Sequence, residues 1–82
     1  MAQPRDFNSA LMEDAGNYLV KIDMVDANTT YIGKAEHGTA TSQAKWQILK
    51  VLVSGTVTTF SYAGGDDTFN NIWDNRTSLS YS

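Results

Sequence analysis

The 82-residue sequence predicts an all-β fold: a small single-domain barrel or sandwich of about five strands, with one short helical turn and an N-terminal arm. Three observations lead there. Apolar and polar residues alternate with period two in several short segments. Gly, Asn, Asp and Ser punctuate those segments at short intervals. The length allows one domain only. Residues 1–15 read as the arm and residues 16–82 as the β domain.

In the arm, Pro4, Arg5, Asp6 and Asn8 interrupt any strand pattern. Phe7, Leu11 and Met12 are apolar anchors that fit one short helical face. Such an arm folds back on its own domain or reaches onto a neighbour. The first strand starts near Gly16, where Tyr18, Val20, Ile22 and Met24 alternate with Leu19, Lys21, Asp23 and Val25. Asp26-Ala27-Asn28 is a turn, because Asp and Asn accept turn geometry. A second strand covers Thr29 to Ala35, with Tyr31, Gly33 and Ala35 on one face. A glycine inside a strand signals a bulge or the close approach of another group, so Gly33 marks one of these.

Residues 36–44 form a loop of small polar residues, with Gly38 at positive φ. The third strand, Lys45 to Val53, is apolar on both faces: Trp46, Ile48 and Leu52 on one, Leu49, Val51 and Val53 on the other. Two-sided burial is hard for so short a chain to supply alone. One side is therefore expected to meet a partner. Ser54-Gly55 is a tight hairpin turn into a fourth strand, Thr56 to Ala63, in which Thr58, Phe60 and Tyr62 alternate. Gly64-Gly65-Asp66-Asp67 ends that strand. Phe69, Ile72 and Trp73 fall at i, i+3 and i+4, one helical turn that Asp67 is placed to cap. Asp74-Asn75-Arg76 reads as a turn, and Thr77 to Ser82 as a last strand with Leu79 and Tyr81 inward.

Composition narrows the function. There is no Cys, so neither a disulfide nor a thiolate metal site is available, and His37 is the single histidine. Partner chains are then the expected source of added stability, and a homo-oligomer is one form of it. Six basic residues stand against nine acidic ones, net −3, with no basic run of the kind that neutralises a phosphate backbone. Nucleic-acid binding is disfavoured. Charged residues make up 18%, below the usual quarter. The first 14 residues lack the apolar run of a secretory signal, and no stretch has the length of a bilayer span. A soluble, cytoplasmically made chain without membrane contact is expected.

No catalytic, cofactor or metal residues are predicted. His37 sits beside Glu36, but neighbours in extended chain point apart, which favours a solvated loop histidine over a catalytic pair. Gly64 to Asp67 lacks the acidic spacing of a calcium loop and reads as a turn with a helix cap. The triplets Asn28-Thr29-Thr30 and Asn75-Arg76-Thr77 match a glycosylation acceptor without a secretory context. Arg76 suits a carboxylate, either on a partner or, structurally, on Asp66 or Asp67. Of the aromatics Tyr31, Trp46, Phe60, Tyr62, Phe69 and Trp73, most are needed as core, and Tyr31 and Tyr62 are kept as surface candidates. The candidate interface is Phe7, Leu11, Met12, Tyr31, Leu49, Val51, Val53 and Tyr62.

Two blocks carry a family resemblance. One runs through Tyr31-Ile32-Gly33-Lys34-Ala35, Gly38-Thr39, Thr41-Ser42 and Trp46-Gln47-Ile48. The other is the ending from Phe69 to Ser82, which contains Ile72-Trp73-Asp74-Asn75-Arg76-Thr77-Ser78-Leu79-Ser80-Tyr81. Across residues 29–82 the chain resembles short virion-associated proteins of tailed bacteriophages. The resemblance implies a virion structural protein whose partners are tail, neck, fibre or capsid subunits. Placement in the tail, neck or fibre-attachment region is the first expectation, with the arm clamping a neighbour. A capsid decoration (cement) protein is the alternative. A small carbohydrate- or peptide-binding β module is the reading from a different class, and an enzyme is not expected.

Overall fold

The computed structural model describes residues 15–82. The arm anchors Phe7, Leu11 and Met12 lie outside the described residues. The chain forms strands β1 (Leu19–Met24), β2 (Thr29–Ala35), β3 (Ala44–Ser54), β4 (Val57–Tyr62) and β5 (Asn71–Ile72), then a 3-10 turn over Trp73–Asn75. β1 to β4 make an antiparallel meander in sequence order, and β5 pairs with the start of β3. The architecture is all-β, as the alternation predicts. The sheet stays open, with β1 and β4 as its outer strands, and its second layer is the C-terminal segment from Trp73 to Tyr81.

Local chemistry sets the register. Asp26 Oδ1 accepts hydrogen bonds from the amides of Asn28 (2.8 Å) and Thr29 (2.9 Å), an Asx-type closure of the first hairpin. Ser54 pairs with Val57, leaving a two-residue loop in which Gly55 has φ +61°. That conformation follows the natural twist of the flanking strands and favours glycine.

The register also sorts side chains onto two faces. Asp23, Tyr31, Lys50 and Ser61 lie across one row, and Lys21, Gly33 and Ile48 across the next. This inner face holds the core of Tyr31, Ala35, Trp46, Ile48, Ala63 and Trp73, flanked by Leu19, Leu79 and Tyr81. Trp46 is fully buried, and its indole Nε1 donates to the Ala40 carbonyl at 3.0 Å. A buried ring thus keeps its one polar group satisfied.

Gly33 is the pivot of this face. A Cβ there would overlap the Trp73 ring carbons Cε3 and Cζ3 and lie 3.1 Å from Trp46 Cε3. The expected close approach is therefore the Trp73 ring, seated where a side chain would stand. Arg76 locks the ring from above. Its Nε donates to Asp23 Oδ2 at 2.9 Å, its Nη1 donates to the Trp73 carbonyl at 3.2 Å, and its guanidinium carbon lies 4.6 Å from the Trp73 ring centroid. Tyr81 donates its hydroxyl to the Arg76 carbonyl at 2.7 Å and packs on Tyr31, centroids 5.6 Å apart.

Four expectations are corrected here. The helical turn starts at Trp73 and excludes Phe69, because the Phe69 ring stacks on Tyr18 at 5.6 Å. Its cap position is Ile72, with no side-chain capping bond, while Asp66 Oδ1 accepts the Thr68 amide (3.1 Å) and hydroxyl (2.6 Å). The strand expected over 77–82 reduces to one bridge, Tyr81 with Ala63. That stretch covers the sheet with Leu79 and Tyr81 rather than extending it. Arg76 pairs with Asp23 on β1, not with Asp66 or Asp67.

Two outcomes are expected. Gly33→Ala forces Trp73 off the sheet and costs about 1–3 kcal/mol or more, read as a lower urea midpoint. Burial and the neighbouring Tyr31, against the opposing Arg76, push the Tyr81 pKa from 10.0 up to about 12. The unfolded chain ionises first, so this contribution to stability is intact below pH 10 and is lost as pH rises to about 12. Melting temperatures across that interval should fall less steeply for Tyr81→Phe than for the unsubstituted protein.

Candidate protein-interaction surface

The outer face of the sheet has a different character. Ile22, Ile32, Leu49 and Tyr62 lie in register across all four strands. The next row is Met24, Thr30, Val51 and Phe60, and Val53 follows opposite Thr58. Apart from Thr30 and Thr58, these positions are apolar or aromatic. Leu49, Val51, Val53 and Tyr62 of the candidate interface are thus brought together, and Ile22 and Met24 join them. Ile32 is buried between Ile22 and Leu49, whereas Ile22 is 49% and Met24 77% exposed.

Tyr31 does not belong to this surface. It is 7% exposed, on the inner face against Tyr81. Residues of one parity in β2 share a face with Gly33, and the Trp73 ring occupies that side.

Both hairpin turns fall at one end of the sheet, tied by the Val53 amide donating to the Asn28 carbonyl at 2.8 Å. Met24, Val25, Leu52 and Val57 all lie at this end, Met24 on the outer face and Leu52 and Val57 on the inner by register. Val25 and Val57 are 52% and 60% exposed. Scattered single exposures are ordinary, but several large exposed apolar side chains gathered at one end of a sheet are the kind of feature that marks an interaction site.

The opposite end is polar. Tyr18, Glu36, His37, Gln43, Lys45 and Phe69 line an open depression of about 590 Å³. His37 and Glu36 are exposed there, and Gly38 has φ +91°. In the adjoining loop, the Thr68 hydrogen bonds hold the Asp66 carboxyl below its ordinary range. Gln47 Nε2 donates to the Asp67 carbonyl at 2.8 Å, which ties that loop to the outer side of β3. Among the described residues no group of His, Asp and Glu is placed to hold a metal ion. None of their helices is long and apolar enough to cross a membrane.

Together, fold and surface define a small open-sheet β domain with one finished face and one apolar rim. Comparison with protein-family models, with curated proteins and with solved structures finds no match.

Sequence reasoning found the outer positions of β3, because apolar residues on both parities were visible there. It missed Met24, Val25 and Val57. The usable signal was Met24-Val25 directly before the Asp26 turn, an apolar pair with no room to be buried. Their different environments lead to different mutational costs. Ile48→Ala should cost about 2–5 kcal/mol, whereas Met24→Ser should stay within about 0.5 kcal/mol of the unsubstituted chain. Chemical denaturation of the two variants checks this contrast.

Proposed function

We propose that this chain is a structural assembly subunit that works by packing its hairpin-end rim against another protein, as a component of a tailed-bacteriophage virion. The observation that carries the assembly reading is the rim of Met24, Val25, Leu52 and Val57, large apolar side chains that the fold leaves in water. Burying such a rim on association removes apolar area from water at about 25 cal/mol per Å². The virion setting comes from the resemblance over residues 29–82. The residues that carry it include Tyr31, Gly33, Trp46, Trp73, Arg76 and Tyr81, the same ones that join the C-terminal segment to the sheet. Placement in the tail, neck or fibre-attachment region remains the favoured site, with no catalytic step and no cofactor.

Purified particles provide the test. The protein should be present in about a dozen copies or fewer, as closed rings of symmetric subunits require. Hundreds of copies would identify a head decoration protein instead, and absence from washed particles would sink the virion reading. Met24→Lys combined with Val57→Lys should leave the isolated chain folded and abolish its incorporation into particles.

A further inference from the structure

β1 is an outer strand, paired on one side with β2. Its backbone groups alternate in direction. The Val25 amide donates to the Thr29 carbonyl at 3.0 Å, so Asp23, Lys21 and Leu19 also turn their amides and carbonyls toward β2. Val20, Ile22 and Met24 turn theirs away, and no strand among the described residues pairs with them. We infer that this side of β1 pairs antiparallel with β1 of a second copy, about a two-fold axis at Ile22, so that the two sheets become one.

The order of residues around Ile22 selects that partner. An antiparallel neighbour continues both faces of a sheet only when residues of the same parity stand opposite each other. With Ile22 opposite itself, Val20 faces Met24 of the second copy, and Lys21 faces its Asp23. Each outward-turned pair then exchanges both of its main-chain hydrogen bonds. The outer-face row across the junction is apolar, and opposite charges meet on the inner face on both sides of the axis. Sliding the register by two residues sets Lys21 against Lys21 in one direction and Asp23 against Asp23 in the other, and both are repulsive. A slip by one residue brings the apolar row against the charged one. A segment that complements itself in one register suits a two-fold interface, where the same patch serves both copies.

The side chains are available for this pairing. Ile22 and Met24 are among the exposed large apolar residues, and the junction sets Ile22 beside its own copy and Met24 beside Val20. Lys21 makes no ion pair among the described residues. Asp23 gives Oδ2 to Arg76 and stays 33% exposed, which leaves Oδ1 for the second copy's Lys21. Charges on an edge strand ordinarily prevent edge-to-edge pairing. Here one cation and one anion flank the pivot, so they exclude the neighbouring registers and admit this one. The other outer strand differs. The Ser82 amide on the Tyr62 carbonyl (3.3 Å) and the Ala63–Tyr81 bridge close one end of β4, and β4 has no charged residue to choose a register. The β1 pairing uses a strand edge, whereas the assembly reading rests on the hairpin-end rim. With Met24 common to both, either can fail while the other stands.

The sequence has no cysteine, so an introduced one forms disulfides only between chains. Ile22→Cys places two thiols across the axis with Cα atoms about 5.5 Å apart, within disulfide range. Thr59→Cys, exposed on β4, is the control. Circular dichroism matched to the unsubstituted chain confirms that each variant is folded. Under mild oxidation Ile22→Cys should dimerise at least about tenfold faster than the control, because pairing holds its thiols together. Equal rates, or faster dimerisation of Thr59→Cys, overturn the inference. Sedimentation of the unsubstituted chain should show a dimer that grows with concentration, and a monomer throughout the range up to millimolar overturns it as well. Lys21→Glu turns both charge pairs repulsive and should raise the dimer dissociation constant at least about tenfold. An unchanged constant in the folded variant overturns the register, and the cysteine comparison decides if that variant does not fold.

Discussion

The seat of Trp73 on Gly33 is the contact on which the rest of the structure depends. A sheet of four short strands has two faces and too little chain to cover both in the ordinary way. Removing the side chain at one central position makes a slot deep enough for an indole. The largest side chain of the C-terminal segment then lies directly against the backbone and Trp46. Everything that follows Trp73 holds it there: the Arg76 guanidinium stacked above, Asp23 anchoring that guanidinium, and the Tyr81 hydroxyl on the Arg76 carbonyl. A half-buried ion pair of this kind contributes modestly by itself. Its importance here is geometric, because it fixes the position of a ring that is only 6% exposed.

That arrangement makes the molecule two-sided. The inner face is finished by aromatic and small residues, and no buried polar side-chain atom among the described residues lacks a partner. The outer face is apolar along its middle with Met24 at its hairpin end, while Leu52 and Val57 bring exposed apolar surface to that end from the inner face. In so small a domain, the side chains that complete one layer are not available for a second. The division between a finished inner centre and an exposed apolar rim is thus a consequence of size as much as of sequence.

Much of this was readable from the residues. Period-two alternation located β2 to the residue and β3 to within one at each end, and turn chemistry placed both hairpins. Gly33 announced a close approach before the approaching group was known. What escaped was whatever depended on which parity faces inward. Tyr31 and Tyr62 look alike on the page, yet one is core and the other lies on the outer face, because only the register across three strands decides it. Asp23 and Arg76 are 53 residues apart, and nothing local distinguishes Asp23 from the nearer Asp66 or Asp67 as a partner. Phe69 fitted a helical face by spacing, but the Tyr18 ring, from a distant part of the chain, claimed it. Tertiary contact overrode local pattern in each case, and at the C-terminus it turned an expected strand into a cover.

The separation between Arg76 and Asp23 bears on how the molecule reaches its fold. The four meander strands join through tight turns, so their pairing needs only short loops to close. The C-terminal cover must bridge 53 residues to its anchor. With each doubling of loop length costing about 0.6 kcal/mol, that closure is about 2 kcal/mol harder than forming a hairpin. Pairing of the four strands is thus entropically the easier step, and docking of the C-terminal cover the harder one. A substitution in the Arg76–Asp23 clasp acts mainly on the rate of folding if the clasp is made at the folding barrier, and on the rate of unfolding if it is made after it.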